Sequence, residues 1–170
     1  MWMGDDAEGR TVVIGLGNPL MGDDGTGLAA LERLERHYDV PDDVLLVDGG
    51  TWGMNLLPII ETAGRVLMLD AITFGGAPGE LVVLDRHQLP KAFALKFSPH
   101  QLDMREVLAA AELRGKLPDD TIAVGVQPGR VEMGTSLSPE VEQALDQLVS
   151  AAMARLRSWG HTCKEASCMR

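Results

Sequence analysis

The sequence predicts a single three-layer α/β domain, a twisted and mostly parallel five-stranded sheet with helices on both faces and one antiparallel strand. Short β-branched apolar runs alternate with longer amphipathic stretches, the pattern of an α/β layer fold. The runs are apolar at successive positions, which suits strands covered on both sides. A chain of 170 residues fits one domain and crowds two.

The elements follow in order. Residues 1–10 carry Asp5, Asp6 and Glu8 without an apolar run, so they read as a flexible N-terminus and not as a signal peptide. Thr11–Gly15 is the first strand. A helix follows from about Asp24 to Tyr38, with Leu28, Leu31 and Leu34 along one face. Val44–Asp48 is the second strand. A shorter helix covers Gly53 to Thr62 and ends at Gly64, and Pro58 inside it leaves its start open. Val66–Asp70 is the third strand. The link AITFGGAPG is too short for a helical crossover, so the fourth strand, Leu81–Leu84, is expected to run antiparallel to the third. A third helix starts near Ser98, with Pro99 at its first position and Gln101 completing a capping box, and stops at Gly115. Thr121–Gly125 is the fifth strand. The last helix starts at Ser138-Pro139 and carries Val141, Leu145, Leu148 and Met153. The domain thus spans 11–159, and the polar segment 160–170 is expected to be a disordered tail.

Composition narrows the function classes. Hydrophobic residues make up 45% and charged residues 24%, as in an ordinary soluble protein, and only 4% are aromatic, so Leu, Val, Ile, Ala and Met must build the core. A net charge of −10 repels nucleic-acid phosphates and anionic lipid heads, which excludes both as general partners. No apolar segment is long enough to span a bilayer, so a cytoplasmic location is expected. Cys163 and Cys168 sit in the last eight residues and cannot staple the fold. With His161 they make only a weak, loosely spaced metal signal.

The segment VVIGLGNPLMGDDGTG, residues 12–27, is a strand, a glycine-rich loop and a helix start. As a dinucleotide fingerprint it fails, because Leu20 stands where the third glycine belongs. A helix N-terminus attracts anions, but Asp23 and Asp24 already occupy this one and would repel a pyrophosphate. Helix capping accounts for one of these acids and leaves the other unexplained. Gly15-Leu16-Gly17-Asn18-Pro19 also resembles the opening of bacterial peptidyl-tRNA hydrolase, but that likeness stops after five residues and belongs to a typically basic family.

Asp24 follows the first strand, Asp48 ends the second and Asp70 ends the third. In an open parallel sheet, ligands bind beyond the carboxyl ends of the strands, where these three side chains converge if the strands are neighbours. Taken singly, each reads as a turn or cap residue. Among the histidines, His37, His87 and His161 read as surface residues. His100 falls in the first turn of the third helix, where the dipole disfavours the cation and keeps the ring in the neutral, metal-binding form. Alone it reads as an exposed polar residue. Together, two carboxylates and an imidazole make an open divalent-metal site. No His-Glu-x-x-His pattern and no Gly-x-Ser-x-Gly elbow is present.

Four segments in register, GLGNPLMGDDGTG (15–27), DGGTWGMNLL (48–57), MLDAI (68–72) and SPHQL (98–102), resemble the hydrogenase maturation proteases. The likeness runs from about Thr11 to Trp159. It implies an endopeptidase that cleaves the C-terminal extension of a nickel-iron hydrogenase large-subunit precursor after nickel insertion. It further implies that Asp24, Asp70 and His100 are the metal-binding and catalytic residues, with Asp48 beside the cleft in support. The nickel would come from the precursor, with no organic cofactor, and the protease is expected to be a monomer. Two alternatives stay open at this point: a non-cleaving module of the same fold that checks nickel loading, and a nucleotide-handling α/β enzyme.

Overall fold

In a computed structural model, the backbone is described for residues 7–94 and 99–166, and side chains for 7–93 and 104–166. The main sheet has the order β3-β1-β4-β6-β5. Its strands are β1 (Thr11–Leu16), β3 (Val44–Gly50), β4 (Arg65–Ala71), β5 (Leu81–Asp85) and β6 (Thr121–Val126). β1 pairs in parallel with β3 and β4, and β4 with β6, while β5 alone is antiparallel. The short link after β4 does reverse the chain, but β5 pairs with β6 and not with β4. The reason is hydrophobicity. β6, TIAVGV, is buried along most of its length and takes the interior place, whereas Val83 of β5 is exposed at the sheet edge.

Alternation along the strands feeds two cores. Val12, Ile14, Val66 and Met68 point to one face, where helix α2 (Leu57–Thr62), helix α3 (Leu89–Ala94) and helix α4 (Pro99–Leu113) supply Ile59, Ile60, Phe93, Val107 and Leu108. Val13, Leu67, Leu69 and Val124 point to the other, covered by helix α1 (Thr26–His37) and helix α5 (Pro139–Ser158) through Leu31, Leu34, Leu145, Leu148 and Met153. The three layers of the sequence reading are therefore present. Helix α3 was not anticipated: it is only six residues long with Pro90 in it, too short for periodicity to show, and buried Leu89 and Phe93 anchor it. The capping residue Ser98 lies outside the described residues.

Residues 7–10 and 160–166 depart from the expected flexible N-terminus and disordered tail; the rest of both segments, Cys168 included, lies outside the described residues. Ala7 is buried and Gly9 N donates to Thr62 O at 3.0 Å, so residues 7–10 pack on the fold. Beyond Trp159 the chain turns back instead of fraying. Gly160, at φ 94°, allows the reversal, and His161 N donates to Leu156 O at 3.1 Å. His161 is buried, not exposed, with Nε2 2.8 Å from Thr11 Oγ1 and Nδ1 3.1 Å from Asp43 Oδ2. Strand β7 (Lys164–Glu165) then pairs antiparallel with β2 (Tyr38–Asp39), and Cys163 is buried between. Three anchor points outweigh the low apolar content on which the expectation of disorder rested. Among the described residues no helix is long and apolar enough to cross a membrane.

Candidate active site

The strand order puts a reversal at β1: the chain moves from β1 to β3 on one side, then returns to place β4 on the other. In doubly wound sheets the crevice beyond such a switch point is where ligands bind. Asp24 and Asp70 flank it. Gly15 of β1 lies opposite Leu69 of β4, so the loop after β1 and the residue after Leu69 share one edge.

Asp24 sits in a 3-10 turn, Gly22–Gly25, between β1 and α1. Its carboxylate is 2% exposed and accepts a hydrogen bond from Asn18 N at 3.0 Å, closing the loop on itself. Two glycines make this compactness possible. A Cβ on Gly17, whose φ is +122°, would fall 1.8 Å from Asp24 O, and one on Gly27 would fall 2.1 Å from Leu69 O and 2.3 Å from Leu16 O. The start of α1 is therefore pressed onto the ends of β1 and β4 together. Asp70 is fully buried at the end of β4, opposite Gly125. Carboxylates are kept in such places only when hydrogen bonds, ion pairs or a metal offset the lost hydration.

Asp23 has a separate task. Fully buried, it accepts from Gly129 N (2.8 Å), Arg130 N (2.7 Å), Ser138 N (2.6 Å) and Ser138 Oγ (2.8 Å). Burial alone would raise its pKa, but the donations from Ser138, Arg130 and Gly129 together outweigh burial and hold the carboxyl below its ordinary value. Ser138, the expected N-cap of α5, thus turns its hydroxyl to Asp23 and makes no side-chain cap. The paired acids, of which capping could explain only one, divide the work: Asp24 folds its own loop, and Asp23 ties that loop to the one after β6. Asp24 occupies the Asn18 N–H of the glycine-rich loop, and two carboxylates at this helix start oppose a phosphate, which argues against the nucleotide reading.

Asp48, unlike the buried pair, is exposed. It lines a shallow cleft of about 460 Å³ with Pro19, Gly22, Gly25, Thr135 and Leu137. The backbone of His100 falls in the first turn of α4, as expected, and α4 packs on the turn Gly53–Leu56 that follows β3. Its side chain lies outside the described residues. Among the described residues no three His, Cys, Asp or Glu side chains are placed to hold a metal, and the expected trio includes His100. Sequence reasoning also passed over Gln127, whose Oε1 accepts from Phe74 N (2.9 Å) and Gly75 N (3.1 Å) and so fixes the loop after β4. A polar residue ending a buried strand was the available signal.

Comparison with known proteins agrees with this fold. The sequence model of the hydrogenase maturation protease family matches residues 28–155. The hydrogenase expression/formation protein HupD of Bradyrhizobium diazoefficiens is 37% identical over 162 residues, covering 94% of this chain and 84% of that protein. The hydrogenase 2 maturation protease of Escherichia coli is 37% identical over 152 residues, covering 89% and 93%. The solved hydrogenase maturating endopeptidase HybD of E. coli superposes with a TM-score of 0.89 at 35% identity, over 94% of this chain and 99% of that one. With a family match across most of its length and relatives of this identity, the chain belongs to the hydrogenase maturation proteases and is an endopeptidase, a hydrolase of peptide bonds.

Proposed function

We propose that this endopeptidase removes the C-terminal extension of a nickel-iron hydrogenase large-subunit precursor once nickel is in place, and that Asp24, Asp70 and His100 read that nickel. The observation that carries the reading is the pair of buried carboxylates, Asp24 and Asp70, on either side of the switch point between β1 and β4. Two carboxylate oxygens and an imidazole nitrogen form a donor set that nickel accepts while keeping positions for its own ligands. The metal belongs to the substrate. Held by these side chains, it orients the segment that bears the scissile carbonyl and acts on it as a Lewis acid. Water adds to the carbonyl carbon, the C–N bond breaks, and the proton goes to the leaving amine. Asp48, in the adjacent cleft, faces the incoming chain. The protease acts in the cytoplasm as a monomer that docks on the larger precursor.

The direct test incubates the protein with nickel-loaded and nickel-free precursor and follows precursor mass. Shortening of the loaded form alone is the expected result. Equal trimming of both forms would remove nickel from the recognition step. A stable complex with loaded precursor and no shortening would instead identify a nickel-loading checkpoint.

A further inference from the structure

The loop after β6 is firmly held, yet it carries large apolar side chains into solvent. Met133 is 90% exposed and Val131 48%, and Leu20 in the loop after β1 is 63% exposed. Scattered exposed apolar residues are ordinary. These are not scattered, because main-chain hydrogen bonds bring their segments together. Gly134 N donates to Leu20 O at 2.9 Å, Gly22 N donates to Gly134 O at 2.8 Å, and Asp23 N donates to Arg130 O at 2.9 Å. Beneath them the buried Asp23 carboxylate gathers Gly129, Arg130 and Ser138. A loop that merely connects two elements is commonly polar and loosely held. Here a desolvated carboxylate is committed to fixing an apolar tip.

We propose that Leu20, Val131 and Met133 form a docking edge for an apolar stretch of the precursor polypeptide, and that Asp23 is the positioning residue that keeps this edge in register with Asp24. Three features favour that occupant. The edge is continuous with the turn Gly22–Gly25 that carries Asp24. It borders the cleft lined by Pro19, Thr135 and Leu137, the chain neighbours of its own residues. An endopeptidase must also hold the chain beside the bond it cuts; this edge presents Leu20, Val131 and Met133 beside the exposed Arg130–Glu132 ion pair, and its apolar side chains gain by leaving water. The inference rests on the precursor being the substrate, and its test separates the two.

The experiment measures the affinity of nickel-loaded precursor and the kinetics of trimming in parallel. Because Met133 and Val131 are exposed, Met133→Ser and Val131→Ser do not threaten the fold. Met133→Ser is expected to raise Kd and KM about tenfold, with the loss in KM and not in kcat. Leu113→Ser, an equally exposed apolar position at the far end of α4, is the matched control and should leave both unchanged. Asp23→Asn should raise KM as well, and adding Met133→Ser to it should cost little more, since the edge has already lost its register. Unchanged Kd and KM in both Met133→Ser and Val131→Ser overturn the docking edge, whether or not Asp23→Asn folds. Strictly additive effects in the double variant overturn the positioning role of Asp23. If wild-type protein binds the precursor without cutting it, the trimming assignment fails by itself, and the Kd comparison still decides the docking edge.

Discussion

At the amino edge of the sheet, a hydroxyl, an imidazole and a carboxylate stand in line: Thr11 Oγ1, His161 and Asp43. At the carboxyl edge, two buried carboxylates stand at the β1/β4 switch point, Asp24 in the turn before α1 and Asp70 at the end of β4. Hydroxyl, ring and carboxylate in that order is the arrangement that activates a nucleophile in acyl transfer. Yet Thr11 and His161 are both buried, and what they achieve is to fasten the chain after Trp159 to the first strand. A constellation of reactive groups is therefore not itself a site. Its position in the fold decides, because loops at the carboxyl ends leave a crevice at the β1/β4 switch point, whereas the amino edge is closed by the returning chain.

This contrast can be broken experimentally. Asp24→Asn and Asp70→Asn are expected to slow trimming on the order of 10³-fold, the scale of lost metal-centred stabilisation. Their thermal midpoints should stay within a few degrees of wild type, since removing a buried charge relieves desolvation. Asp23→Ala, one residue away, should instead unfold about 3 kcal/mol more easily in urea, because it strands the buried N–H donors of Gly129, Arg130 and Ser138. His161→Ala should cost about 2 kcal/mol and speed hydrogen exchange at Ala166 N, which donates to His37 O. Trimming by the folded fraction should not change; its loss would move the active centre to the amino edge. The smallest effect concerns Cys163. Burial, aided by Asp43 and opposed by Arg157, raises its thiol pKa above 9.0. Its contribution to stability is thus complete below pH 9.0 and is lost as pH rises through the folded value. Peptide mapping after alkylation near neutral pH should find Cys163 protected until the protein unfolds.

The layers and strand assignments were legible in the sequence because five apolar runs and their glycine-rich turns leave few other arrangements. Pairing was less so, since placing β6 between β4 and β5 depends on comparing the burial of whole strands rather than reading a local link. The return after Trp159 was hidden for a related reason: Thr11 and His161 are 150 residues apart, and nothing local in a polar segment announces a partner that distant. At the candidate site, paired acids at a helix start singled out the loop after β1, but their separate contacts could not be divided without the positions of Gly129 and Ser138. The four sequence segments pointed to the family; the structure adds that Asp23 and Asp24 hold different segments.

Gly27 carries a consequence for libraries of variants. With strand carbonyls 2.1 Å and 2.3 Å from where a Cβ would sit, the position has no room for any side chain. A library selected only for folded protein should return glycine at 27 while letting Asp24 drift to its isostere. The same library selected for trimming should fix both. Subtracting the first outcome from the second would strip away the scaffold and leave a map of the chemistry alone.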